Sequence, residues 1–450
     1  MNYLIGLDIG TTAIKGVIMT VDGKVRNTVT GGYNYYGEEN QKLLKPDDFL
    51  NACFYTIKEL AASVNRDDCI LSVCACCASG NLILLDKKSQ PITPIIGWQT
   101  VVSEEDKNAF FTKEEQAEFY ETVGWPLSCR FPALYLAAIK LHKPELLQNA
   151  KTVCMSAEYL NFALTGKFGI SHSMGTPFFL MDQAKGVYNA KLLEKLGISE
   201  ENLPPIYNKG TVLGSVIPEM AEKLGLSTET KVVLGSFDHP SGAMGSGVFS
   251  EGEMLLSCGT SWVEFFPVSS REFAISTKGL VDRFMLNGAP YCVMKSITSV
   301  SEKIDALRLH YLGEISHKEY DDLAMAASLG CNGLRFNFTD EDYKIGEKYA
   351  KSDIARAIIE GAALILKENL EMLEKSGLVA EKVTMIGGIS NSSVCVNIVA
   401  EVLERTVRVA NGQAAGAIGA ALLGGIGVCV YKDEKTAYYV HSSNFVNNNM

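Results

Sequence analysis

With 450 residues, 47% of them apolar and 21% charged, the chain is too long for one ordinary core and ordinary in composition for a soluble protein. Its net charge of −11 argues against nucleic acid as the main partner, since phosphate backbones call for a basic face. No uninterrupted apolar run is long enough to span a bilayer, and the N-terminal apolar run is broken by Asp8, unlike a secretory leader, so no membrane partner and a cytoplasmic location are expected.

The chain opens with apolar runs that predict strands over residues 3–9, 14–21 and about 25–35, with Asp22-Gly23 as a turn. Between the first two lies Asp8-Ile9-Gly10-Thr11-Thr12. Gly10 lets the backbone turn tightly and approach a ligand, successive N–H groups in such a turn form an anion nest, and Thr11 and Thr12 add donors. Asp8 would repel a phosphate unless Mg²⁺ sat between them, since magnesium is usually held by one or two carboxylates plus phosphate oxygens. Lys15 adds positive charge. On these residues alone, a plain hairpin turn fits equally well.

A helix is predicted at about 47–64, then a buried strand at 69–77 and the apolar stretch Leu82-Ile83-Leu84-Leu85-Asp86. Cys74, Cys76 and Cys77 lie in that strand. Their spacing fits no zinc pattern, and they are expected to be reduced core residues. Further helices are predicted at about 103–122, 132–141, 157–164 and 190–196, and Lys231-Val232-Val233-Leu234-Gly235 reads as another buried strand. It delivers Asp238 into Gly235-Ser236-Phe237-Asp238-His239-Pro240-Ser241-Gly242, a glycine-rich stretch that starts a helix. A carboxylate so placed suits a general base for a hydroxyl attacking a γ-phosphate; as an isolated feature it suits a helix cap better. His239 is assigned no chemical role.

The second half opens as the first did. Met254-Leu255-Leu256-Ser257-Cys258 leads into Gly259-Thr260-Ser261 and then Trp262-Val263-Glu264-Phe265-Phe266, again strand, hydroxyl-bearing turn, strand. A long helix at about 352–376 precedes the strand Lys382–Ile386 and Gly387-Gly388-Ile389-Ser390-Asn391-Ser392, where small residues would let a nucleotide lie against backbone. Gln413–Gly425, rich in small residues, reads as a helix packed closely on a sheet. The polar tail from about 433 is expected to be an edge element that frays at its Asn-rich end.

The ordered set Asp8-Ile9-Gly10-Thr11-Thr12, Asp238 with its glycines, Gly259-Thr260-Ser261 and Ile386-Gly387-Gly388 resembles the FGGY carbohydrate kinases of the sugar kinase, Hsp70 and actin superfamily. The resemblance spans Tyr3 to about Gly425 and is nearest the ketose, xylulokinase-like members. It implies an α/β protein of two ribonuclease H-like (actin-like ATPase) domains, residues 1–245 and 246–450, each a mixed sheet flanked by helices, around a cleft. It implies ATP and Mg²⁺ as cofactors and a sugar or polyol as substrate. Carried over by position, Asp8 lies near the metal, Gly10, Thr11, Thr12 and Lys15 line the first phosphate turn, and Asp238 is the base. Gly259 and Thr260 form the second phosphate turn, while Gly387, Gly388 and Ser392 fall near adenosine. Residues 244–250 would be the hinge of closure.

The sugar pocket departs from the family pattern. Where many pentulose kinases carry Gln-Met-His-Gly, this chain has Ala78-Ser79-Gly80-Asn81. Of the family's Trp-x-Asp-x-Arg it keeps Trp98 but continues Gln99-Thr100-Val101-Val102. Ser79, Gly80, Asn81, Trp98 and Asp238 are the candidate substrate contacts. A ketose kinase is the leading expectation, a polyol kinase of the erythritol or glycerol type the nearest alternative, and a non-catalytic ATP or sugar sensor a third. A chaperone is disfavoured because no peptide-binding domain follows residue 450. The oligomeric state is open, a homodimer included.

Overall fold

The computed structural model describes every residue except 66, 79, 260, 339–344, 346–347, 411–413 and 447–450. Close packing divides the chain into two units. The first takes residues 1–247, 280–286 and the described part of 414–450; the second takes 248–279 and the described part of 287–413. The chain therefore leaves the first unit after Gly247, revisits it once, and returns to it after residue 413.

The first unit is built on β1 (Asn2–Ile9), β2 (Ala13–Thr20), β3 (Val25–Gly32), helix α1 (Pro46–Ala62), β4 (Cys69–Cys77), β5 (Val212–Ser215) and β6 (Lys231–Phe237). The strands line up in the order β5-β6-β4-β1-β2-β3. β1, β2 and β3 pair antiparallel, while β4 joins β1, and β6 joins β4, in parallel. Buried on both faces, β1 and β4 read as nearly continuous apolar runs. All twelve cysteines are free, and Cys74, Cys76 and Cys77 are buried in β4, as their setting predicts.

The continuous helix expected over 103–122 is two helices, α2 (Glu104–Phe110) and α3 (Lys113–Val123). Thr112 stops the first and caps the second. Its hydroxyl accepts from Glu115 N at 3.2 Å, and Glu115 returns a carboxylate oxygen to Thr112 N at 2.8 Å. That reciprocal cap satisfies two orphan donors and favours a fresh start over continuation. Helix α4 (Pro132–His142) and α5 (Ser156–Thr165) follow, and α6 (Asp238–Ser246) begins at the residue after β6.

The second unit repeats the plan with β7 (Gly252–Cys258), β8 (Trp262–Val268), β9 (Tyr291–Ile297), α7 (His317–Ala326), α8 (Lys351–Lys375), β10 (Ala380–Gly387), α9 (Ser393–Leu403) and β11 (Val407–Val409). Its strands run β9-β8-β7-β10-β11. β7, β8 and β9 are antiparallel, and β10 and β11 are parallel additions to β7. The repeat of strand, Gly-hydroxyl turn, strand is thus a repeat of topology.

The chain re-enters the first unit as α10 (Ala415–Gly427) and ends as α11 (Glu434–Val446). Helix α10 is the close-packed helix its small residues predict. A Cβ on Gly6 of β1 would fall 1.9 Å from Ala417 O, one on Gly245 of α6 would fall 2.0 Å from Ala415 O, and one on Gly419 would fall 1.9 Å from Ser241 O. Backbone meets backbone at three places, so α10 draws β1 and α6 together.

The tail is not an edge element. It is a helix with Glu434, Ala437 and His441 buried on one side. His441 Nδ1 lies 2.7 Å from Gly23 O, and the Tyr431 hydroxyl donates to Val21 O at 2.9 Å, so the tail clamps the β2–β3 turn. Residues 447–450, where fraying was expected, lie outside the described residues. No described helix is long and apolar enough to cross a membrane.

Candidate active site

In the first unit, three segments bring chemistry together at the strand ends. β1 ends at Asp8-Ile9 and turns through Gly10, whose N–H donates to Ala13 O at 3.0 Å and whose carbonyl accepts from the Tyr33 hydroxyl. Asp8 is in register with Lys15 on β2 and Cys76 on β4. Thr12 is exposed at the tip of the turn. Thr11 accepts a hydrogen bond from the Trp98 indole at 3.0 Å, which joins the candidate phosphate turn to a candidate substrate residue.

β6 follows β4 in parallel as far as Leu234↔Ala75, then slips so that Phe237 pairs with Cys77. Gly235 sits in the slip, where a Cβ would come 1.8 Å from Ala75 O. Such an irregularity re-aims the residues beyond it. Asp238 emerges here as the first residue of α6, with 26% of its side chain exposed. Its Oδ1 accepts from the adjacent His239 N at 2.7 Å, one of the free donors of the helix's first turn.

Electrostatics separate the roles. Burial pushes the Asp238 carboxyl up to about 7. Burial, then the neighbouring Asp238 charge, raises Asp8 to about 6, against the pull of Lys15. His239 goes the other way. Burial presses it down to about 4, so near neutrality it is uncharged and packs edge-on against Phe237 at 5.2 Å. Gly416 of α10 completes this corner, with the place for its missing Cβ 2.5 Å from Asp8 Oδ2.

The candidate sugar segment lies at the end of β4. Asn81 is 5% exposed, its Oδ1 taken by Ser156 N at 2.6 Å and its Nδ2 donating to Ala78 O at 3.3 Å. It brackets β4 to α5. Replacing it with Ala strands buried backbone groups, and we expect a stability loss of about 1–3 kcal/mol in urea denaturation. Gly80 takes φ +84°, with Phe131 where a Cβ would point. Ser79 lies outside the described residues. A small cavity beside Gly10 and Thr11 is lined by Tyr33, Cys77, Asn81 and Trp98.

In the second unit, the Gly259 turn is exposed and held by Ser301, whose hydroxyl donates to Gly259 O at 2.6 Å and accepts from the Trp262 indole at 3.3 Å. Thr260 lies outside the described residues. Gly387 ends β10 at φ +105°, and a Cβ there would strike Cys258 O at 2.1 Å; Gly388 has open space around it. Ser392 is the N-cap of α9, accepting from Cys395 N at 3.1 Å while donating to Asp321 of α7 at 2.8 Å. Sequence reasoning missed Ser301, Asp321 and Tyr33. Their signal is only spatial, since each supports its turn from a distant segment.

Two family descriptions match the chain. The FGGY family of carbohydrate kinases, N-terminal domain, matches residues 3–245, and the C-terminal domain of the same family matches 305–428. The xylulose kinase of Bacillus subtilis (strain 168) is 25% identical over 457 residues, covering 95% of this chain and 88% of that protein. A ligand-bound xylulose kinase from Lactobacillus acidophilus superposes with a TM-score of 0.89 at 22% identity, over 98% of this chain and 92% of that one. The gluconate kinase of the same organism gives 0.87 at 22% identity, with the same coverage. These two likenesses speak for the fold. Together with the family match across both halves, they place the chain in the FGGY family of carbohydrate kinases, phosphotransferases that act on an alcohol group.

Proposed function

We propose that the protein transfers the γ-phosphate of ATP to a terminal hydroxyl of a ketose, a pentulose or a close relative, with Asp238 as general base. The observation that carries this reading is the Asp238 carboxyl, aimed by the β6 slip and poised near pH 7 beside Asp8. The acceptor oxygen attacks phosphorus as the bond to ADP breaks, and its proton passes to Asp238. A base is most useful when its pKa lies close to the working pH. The xylulose kinase named above supports the ketose over a polyol.

Mg²⁺ fits the residues present. Among the described residues no cluster of three or more His, Cys, Asp or Glu could hold a metal alone. Asp8, partly exposed and raised in pKa beside a second carboxylate, suits an ion that takes one or two carboxylates and the rest of its ligands from phosphate and water. Bound there, magnesium would neutralise phosphate charge. Thr11, Thr12 and Lys15 would take phosphate oxygens in the first unit. Gly259 and Thr260 would do so in the second, where Gly387, Gly388 and the Ser392 cap would take the adenosine.

The pH dependence follows from sign. The base acts only as the carboxylate, and its pKa is raised, so kcat/KM should climb about tenfold per pH unit below 7 and level off above it. Initial rates between pH 5 and 8 check this; a flat profile contradicts it. Stability runs the opposite way. A carboxyl raised in the folded state contributes most when protonated, and that contribution is lost as pH rises from about 4 through 7. Asp238→Asn should therefore melt higher than the parent at pH 8, with the gap shrinking by pH 5.

A further inference from the structure

Val102 stands where the family resemblance would place an arginine after Trp98, yet a guanidinium is present in space. Arg130 precedes α4, and its Cζ lies 5.7 Å from the centre of the Trp98 ring. The same indole donates to Thr11 in the phosphate turn. The backbone holds the two segments together: Val102 N donates to Cys129 O at 2.8 Å, and the Tyr135 hydroxyl reaches the carbonyls of Gly97, Trp98 and Thr100 at 3.0–3.1 Å. Phe131 fixes the next position. It occupies φ +76°, fills the space over Gly80 and stacks on Phe179 at 4.6 Å; Trp125 bridges it, at 5.5 Å, to Phe237 beside Asp238, at 5.6 Å.

Arg130 is partly exposed and has no ion pair or hydrogen bond to any described residue, although acids outnumber bases by eleven in the chain. A guanidinium over the face of an indole at this distance is attracted to the ring while its N–H groups stay available to two oxygens at once. We propose that Arg130 is an acceptor-binding, specificity-determining residue, whose fork donates to the paired oxygens of the acceptor's far end, such as a carbonyl with its neighbouring hydroxyl. It replaces from a different segment the arginine absent at position 102. This assignment rests on the kinase reading for where the acceptor lies.

The test is calorimetric binding of D-xylulose, D-gluconate and erythritol, without ATP, to the wild-type protein and to Arg130→Met and Arg130→Lys, with ATP titrated separately. Loss of a charged hydrogen-bonding group should weaken at least one acceptor about 10- to 100-fold in Arg130→Met, with Arg130→Lys recovering only part and ATP affinity unchanged. Acceptor affinities within about twofold of the parent overturn the proposal. So does an equal loss of ATP affinity, which would mean that Arg130 only props Trp98 and Thr11, and so does failure of all three acceptors to bind the parent. Should Arg130→Met not fold, the Arg130→Lys comparison alone decides, by the same criteria. ADP formation by the wild type is read in parallel. Acceptor binding through Arg130 without ADP formation would sink the kinase reading and leave this one standing.

Discussion

Asp238→Asn should lower kcat by about 10²–10⁴-fold while ATP still binds with parental affinity. The substitution keeps size and the acceptor oxygen for His239 N–H, so the turn between β6 and α6 should persist. What it removes is, among the described residues of this corner, the group held closest to pH 7. His239 is held down to about 4, and Asp8 is raised to about 6 chiefly by burial and by Asp238 itself. Removing Asp238 should also let Asp8 ionise more easily, since its charged neighbour is gone. Steady-state rates with saturating Mg-ATP, alongside a nucleotide titration, separate the outcomes. A mutant that keeps most of its kcat would assign Asp238 to capping or packing.

Gly419→Ala should cost about 3 kcal/mol and lower the melting temperature measurably, although it adds a single methyl. The place for that methyl is 1.9 Å from Ser241 O, and backbone cannot rotate aside as a side chain can. Relief requires α10 to lift from α6, and α10 also packs on Gly6 of β1 and on the Asp8 carboxylate through Gly416. The damage should therefore reach activity as well as stability. Gly32→Ala is the control: nothing lies within 4 Å of its Cβ position, and its φ is not in the left-handed region. Equal melting temperatures for the two variants would show that α10 has room to move.

The architecture was legible where the burial pattern is simple. β1 and β4, buried on both faces, announce themselves as apolar runs, and the recurrence of a Gly-hydroxyl turn between strands marks the repeat of topology in the second unit. Asp238 stood out because a buried strand ran directly into glycines. Local competition hid other features. The Thr112–Glu115 capping box splits what periodicity reads as one helix, and α11 looks like a polar tail because only a narrow side of it is buried. Position alone points to Ser392 and Asn81 as ligand contacts; in the fold each also closes hydrogen bonds that hold its own segment. Arg130 was silent for a different reason. Its partner Trp98 is distant in sequence, and nothing in Ser128-Cys129-Arg130-Phe131 marks a site until the chain folds.

The measurement that bears most directly on the whole account is phosphoryl transfer itself. Purified protein is incubated with Mg-ATP and a panel of ketoses, aldoses, sugar acids and polyols, and both ADP and the mass of each acceptor are followed. We expect one acceptor, a ketose, to gain a single phosphoryl group in step with ADP, and the reaction to stop in Asp238→Asn. Tight binding of ATP and a sugar with no phosphorylated product from any of the panel would contradict it and make the protein a sensor built on a kinase fold.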